Sequence, residues 1–247
     1  MTTDIALFAA IGFLAQLIDG AAGMAYGVTA TTVLLSAGIA PATASAAVHA
    51  AEVFTTGASG AAHLWAGNVR RALVVRLALP GMIGGAGGAV VLASLPAAAV
   101  RPWVSAYLMV MGALILWRAA RPAPQRAERL RFVPVLGLVG GFLDAIGGGG
   151  WGPIVTSTLI GSGTAPRYAI GSVNLAEFFV TVTISVTFLA TIGLELWRVV
   201  VGLVIGGVIA APVAAVVAKH VPTRALLVVV GVVVLLLSLR GLIVSLR

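Results

Sequence analysis

A chain of 247 residues, 60% hydrophobic and only 9% charged, with a mean hydropathy of +1.13, does not describe a water-soluble enzyme, because an ordinary soluble domain carries about 25% charged residues. The formal charge of +8 does not indicate nucleic acid either, since the arginines gather at the ends of apolar segments and the interleaved basic and aromatic motifs of nucleic-acid readers are missing. The lack of cysteine excludes disulfide frameworks and thiolate sites. His49, His63 and His220 lie on separate segments without metal-ligand spacing, so no metal or other cofactor is expected.

Apolar runs of about 20 residues, enough to cross a bilayer, are predicted near 5–37, 41–65, 72–94 and 100–117, and again near 132–161, 166–190, 197–218 and 222–245. Met1-Thr2-Thr3-Asp4 places no basic region before the first run and no small-residue cleavage signal ends it, so the first helix is expected to be retained. The first and fifth runs are each ~30 residues long and glycine-interrupted, at Asp19-Gly20-Ala21-Ala22-Gly23 and at Gly147-Gly148-Gly149-Gly150. At about 1.5 Å per residue they overshoot one straight crossing, so each reads as a broken crossing or a pair of short helices. The glycines of Gly84-Gly85-Ala86-Gly87-Gly88 read as close helix contacts.

The hydrophilic stretch 118–131 carries five arginines and is expected to be a cytoplasmic linker by the positive-inside rule. It separates a first transmembrane repeat, 1–117, from a second, 132–247. Sliding the chain by 125 positions aligns Asp19 with Asp144, Gly23 with Gly148, Gly27 with Gly152, Thr31 with Thr156, Gly38 with Gly163, Pro41 with Pro166 and Glu52 with Glu177. Apolar composition does not place two acids and a proline in register, so the chain reads as an internal duplication. Charge bias fits inverted and parallel repeats equally, with eleven of the 15 Lys and Arg inside either way. Inverted repeats are the preferred arrangement, because matching glycine-broken segments in two halves recur in secondary transporters. The expected fold is thus an all-α polytopic membrane protein, each repeat having a broken or re-entrant first segment followed by three transmembrane helices.

Of seven acidic residues, Asp4, Glu128 and Glu195 sit at ends or loops, and the other four are the repeat pairs. A carboxylate in hydrocarbon costs roughly 2.5–3.5 kcal/mol, so one that persists usually faces a cavity or a partner. Ser45, His49, Glu52 and Thr56 fall on one helical face, and Asn174, Glu177 and Thr181 repeat the stripe. That stripe is either interhelical glue or the lining of a transport path, and the second reading is favoured because both halves supply it at one depth. The glycine breaks are the second candidate: an unwound helix exposes amides that can hold an anion, and glycine lets a ligand approach the backbone. The candidate residues are therefore Asp19, Gly23, Gly27, His49, Glu52, Asp144, Gly148, Gly149, Gly150, Gly152, Asn174 and Glu177. His49, one turn before Glu52, is expected to stabilise that carboxylate's ionised form, whereas Asn174 can only hydrogen-bond. Gly147–Gly152 satisfies G-x-G-x-x-G and Gly57-Ala58-Ser59-Gly60 resembles a serine-protease motif. Neither has the soluble βαβ unit or the separate base that its chemistry requires, and the aspartate pair lacks the glycine spacing of an intramembrane protease.

The duplicated order of apolar helix, acid, glycine cluster, short apolar run, proline and small-residue helix resembles the sulfite exporter TauE/SafE family of bacterial membrane permeases. It is clearest in Gly140-Gly141-Phe142-Leu143-Asp144-Ala145-Ile146-Gly147-Gly148-Gly149-Gly150-Trp151-Gly152-Pro153, followed by Pro166 and Gly171-Ser172. The first half departs from it, with Ala21-Ala22-Gly23-Met24-Ala25 in place of the glycine run and Val28 for Pro153. The resemblance implies transport of a small sulfur-containing or organic anion, such as sulfite or a sulfonate, across the bacterial inner membrane. The expected function is a secondary transporter, without enzymatic activity, exporting that anion with proton coupling through Glu52 and Glu177 at a midplane site between the repeats. Its expected partners are the anion and the lipid bilayer, and a gated anion channel is the alternative.

Overall fold

The computed structural model describes residues 5–22, 24–120, 131–193, 197–220 and 222–246. The described residues are helical in ten segments: α1 Ile5–Ala22, α2 Tyr26–Ser36, α3 Pro41–Trp65, α4 Arg71–Ser94, α5 Ala97–Ala120, α6 Val133–Gly147, α7 Gly152–Gly161, α8 Pro166–Thr191, α9 Trp197–His220 and α10 Thr223–Ser245. The protein is all-helical, and no strand occurs among the described residues. The first and fifth apolar runs are each two short helices, with Met24 and Ala25 in the first break and 148–150 forming the second, and α7 opens with a π-wound turn over Gly152–Thr156. Helices α3 and α8 both begin at a proline after an extended alanine, Ala40 and Ala165. Proline is pre-set for that first turn and lacks only an amide the helix would have left unpaired. The central part of the hydrophilic stretch, 121–130, lies outside the described residues, while α5 runs on to Ala120 and so takes in the first three positions of the expected linker.

Among the described residues, four helices are long and apolar enough to cross a membrane: Arg71–Ser94, Ala97–Ala120, Pro166–Ile192 and Arg224–Ser245. Their outer faces expose large apolar side chains such as Leu79, Ile83, Val110, Val186 and Leu236, a surface that only hydrocarbon satisfies over this extent. Trp65, Trp103, Trp117 and Trp197 are exposed near helix ends, where amphipathic rings sit at the level of the lipid headgroups.

Helix pairing crosses between the two halves. The α1 helix packs chiefly on α9, α4 on α6, α3 on α8 and α5 on α10. Small residues make these contacts close: a Cβ at Gly84 would lie 2.0 Å from Leu138 O, and one at Gly141 would lie 2.2 Å from Gly81 O. The α1 and α9 pair behaves alike, with a Cβ at Gly206 falling 1.9 Å from Ala9 O and one at Gly12 falling 2.3 Å from Leu203 O. Lipid tails are as apolar as leucine, so helices in a bilayer associate through this close backbone packing and not by hydrophobic burial. Gly84, Gly85 and Gly88 serve it as the sequence suggests, whereas Gly87 faces open space.

Candidate functional site

Each helix break is braced by its own aspartate. The Tyr26 N–H at the start of α2 donates to Asp19 Oδ1 at 3.2 Å, seven residues back. The Trp151 N–H donates to Asp144 Oδ1 at 2.9 Å, again seven residues back. A carboxylate placed there satisfies one of the amides left unpaired at a helix start and faces the positive end of the helix dipole. In the second half the turn continues with the Gly149 N–H donating to the Asp144 carbonyl at 3.0 Å, which Gly148 at φ +68° and Gly150 at φ +147° allow. The residue matching Gly150 is Ala25, held at φ +102°, a conformation that costs a side-chain-bearing residue of order 1–3 kcal/mol.

The two breaks cross each other at their backbones. A Cβ on Gly149 would lie 2.3 Å from both Gly27 C and Val28 N, and one on Gly27 would lie 2.7 Å from Gly149 Cα. The Thr31 hydroxyl on α2 donates to the Gly148 carbonyl, and the Tyr107 hydroxyl on α5 donates to the Gly149 carbonyl at 3.0 Å. Gly148 and Gly149 are thus filled from within the chain. Their lack of a side chain lets two backbones touch.

Beside this crossing lies a small, partly open cavity whose free volume of about 20 Å³ holds roughly one water molecule. Of the residues singled out from sequence, Asp19, Gly27, Glu52, Gly150, Gly152, Asn174 and Glu177 line it, and Glu52 of α3 and Glu177 of α8 share one chamber. Glu52 is only 4% exposed. Its carboxylate lies against the Gly27 amide through Oε1, while Oε2 has no hydrogen-bond partner in the protein. Asp19, Asp144 and Glu177 are near enough for their charges to act on Glu52. Among the described residues, no lysine, arginine or histidine lines the chamber.

His49 corrects one expectation. Its Nε2 lies 3.2 Å from Asp144 Oδ2, and its Nδ1 lies 2.8 Å from the Ser45 carbonyl. The Ser45 hydroxyl in turn donates to the Ala145 carbonyl at 2.7 Å. Anchoring on Ser45, one turn back, aims the ring across to α6, so His49 pairs with Asp144 of the other half and not with Glu52. The pair sits behind the cavity, with side-chain exposures of 0% and 2%.

Three residues at the breaks went unread: Tyr26, Trp151 and Tyr107. Tyr26 and Trp151 share one register and stand seven residues after their aspartates, a signal the alignment contained. Tyr107 lies on an ordinary apolar helix and gave none. Of the expected residues, Gly23 lies outside the described residues.

The family model described as sulfite exporter TauE/SafE matches residues 8–241. The chain is 45% identical over 197 residues to Probable membrane transporter protein YtnM of Bacillus subtilis (strain 168), a match covering 76% of this chain and 65% of that protein. It therefore spans just under two thirds of that relative's length. No solved structure matches.

Proposed function

The chain belongs to the sulfite exporter TauE/SafE family, and on that premise we propose that it is a multi-pass membrane transporter that exports a small sulfur-containing or organic anion, such as sulfite or a sulfonate, from the bacterial cytoplasm by alternating access. In this reading it is a secondary transporter of the inner membrane and no enzyme, its two halves are inverted repeats, and the stretch 118–131 joins them on the cytoplasmic side. The observation that carries the proposal is the chamber at the crossing of the two breaks, into which each half sends a glutamate at the same register, Glu52 and Glu177.

The repeat reading draws support from the exchange of partners, α1 with α9 and α4 with α6, and from the identical seven-residue braces of Asp19 and Asp144. A site between the halves is where rocking of one repeat against the other would open it to alternate sides. Proton coupling follows from electrostatics. An anion about 5 Å from an ionised carboxylate is opposed by roughly 3 kcal/mol at an effective dielectric of 20, so protonation of Glu52 and Glu177 admits the anion and its release frees the protons.

Counterflow in proteoliposomes tests this. Unlabelled sulfite on the trans side is expected to accelerate uptake of labelled sulfite, as an exchanger requires. Flux without that acceleration would indicate a channel. A cysteine placed at Gln125 is expected to resist an impermeant thiol reagent on intact cells, and rapid labelling would reverse the orientation.

A further inference from the structure

Four polar side chains around the chamber each spend a hydrogen on a backbone carbonyl. The Thr56 hydroxyl donates to the Glu52 carbonyl at 2.6 Å, and the Thr55 hydroxyl donates to the same oxygen at 3.3 Å. Asn174 Nδ2 donates to the Ile170 carbonyl at 3.0 Å, and the Tyr26 hydroxyl donates to the Leu203 carbonyl at 3.4 Å. What these groups offer an occupant is chiefly lone pairs, from two threonine oxygens, the Asn174 amide oxygen and the carboxylates, beside the Ser59 hydroxyl and the second Asn174 amide hydrogen.

Three of the amides at the breaks are engaged as well. Tyr26 N–H is held by Asp19, Trp151 N–H by Asp144, and the Gly27 amide by Glu52. Against this background stands Glu52 Oε2, in a residue 4% exposed, lining the chamber and without a protein partner. A buried carboxylate oxygen left unmatched is unfavourable, so its natural complement is a donor or a positive charge.

We infer that the chamber seats a small monovalent cation on Glu52 Oε2, either an alkali ion or the ammonium end of an amine-bearing solute. The inference rests on the reading of this chamber as the transport site and names the charge it holds while its carboxylates are ionised. Thr55, Thr56 and Asn174 supply neutral oxygens and Glu177 a second carboxylate from the facing helix. Oxygen donors of this kind suit a hard monovalent cation or an ammonium group, and the thiolate and imidazole ligands of a transition metal are missing from the lining. With the cation in place, the field that opposes an anion is offset.

The test melts the detergent-solubilised full chain, followed by its tryptophan fluorescence, in NaCl, KCl, methylammonium chloride and choline chloride at one ionic strength. The expected result is a saturable rise of ~2–4 °C in a small-cation salt over choline. A rise in NaCl or KCl identifies an alkali ion, and a rise in methylammonium alone identifies an amine solute. Glu52→Gln is expected to abolish it. Should that variant not fold, Thr56→Val, which keeps the shape and removes one oxygen, is expected to weaken the apparent affinity by ~tenfold. Equal melting of the wild type in all four salts would leave protons as the only positive occupant and overturn the inference, as would an undiminished rise in both variants. Loss of sulfite counterflow with the cation shift intact would instead count against the transport reading alone.

Discussion

Asp19 and Asp144 accept the same amide seven residues on, yet their other faces differ. Asp144 is 1% exposed and engaged by His49, whereas Asp19 is half-buried and turned to the chamber. The divergence traces to one register, His49 in the first half and Asn174 in the second. Asn174 bonds back to its own helix at Ile170 and so leaves Asp19 available. The breaks differ in the same sense. The second is a run of three glycines at positive φ, and the first reaches its turn with Ala25. The brace is the same in both halves, while one aspartate is locked by His49 and the other is left facing the site.

Filling the second break should have the largest effect. Gly149→Val sets a branched side chain 2.3 Å from the Gly27 and Val28 backbone, and a loss of more than about 3 kcal/mol is expected, beyond ordinary overpacking. Size-exclusion recovery should show little monodisperse protein, whereas Gly87→Ala, with nothing within 4 Å, should match the wild type. Native yield from Gly149→Val would mean the crossing is looser than described.

His49→Asn makes the first half like the second and strands Asp144 Oδ2. A cost of about 2–3 kcal/mol is expected, read as a lower melting temperature. If Asn174→His offset that loss in the double variant, the asymmetry of the two aspartates would be interchangeable and the comparison weaker. Asp19→Ala should cost about 1 kcal/mol, as for loss of a helix cap, and less than Asp144→Ala measured in the same melts. Ala25→Gly should have the smallest effect, raising stability by up to about 1 kcal/mol through release of backbone strain. A destabilised Ala25→Gly would show that the turn at Ala25 carries no strain.

The breaks and the four acids within the apolar runs were legible because each is a departure from apolar composition, and such departures are costly in a bilayer. The eight apolar runs lie within a few residues of the helices for the same reason. His49 was misassigned because helix-face reasoning finds partners three or four residues away, while Asp144 lies 95 residues on. Gly148 and Gly149 read as ligand approaches, since sequence alone does not distinguish a glycine that admits a solute from one that admits another backbone. Tyr107 had no pattern to betray it, as its register matters only once α5 meets the second break.

The central claim is that one chamber receives a working carboxylate from each half. The direct measurement is sulfite flux in proteoliposomes across a range of pH for the wild type, Glu52→Gln and Glu177→Gln, since glutamine keeps the shape and hydrogen bonding of glutamate but cannot titrate. Each variant is expected to lose at least ~tenfold in rate and to flatten the pH dependence. Wild-type rate and full pH dependence in both variants would contradict the account.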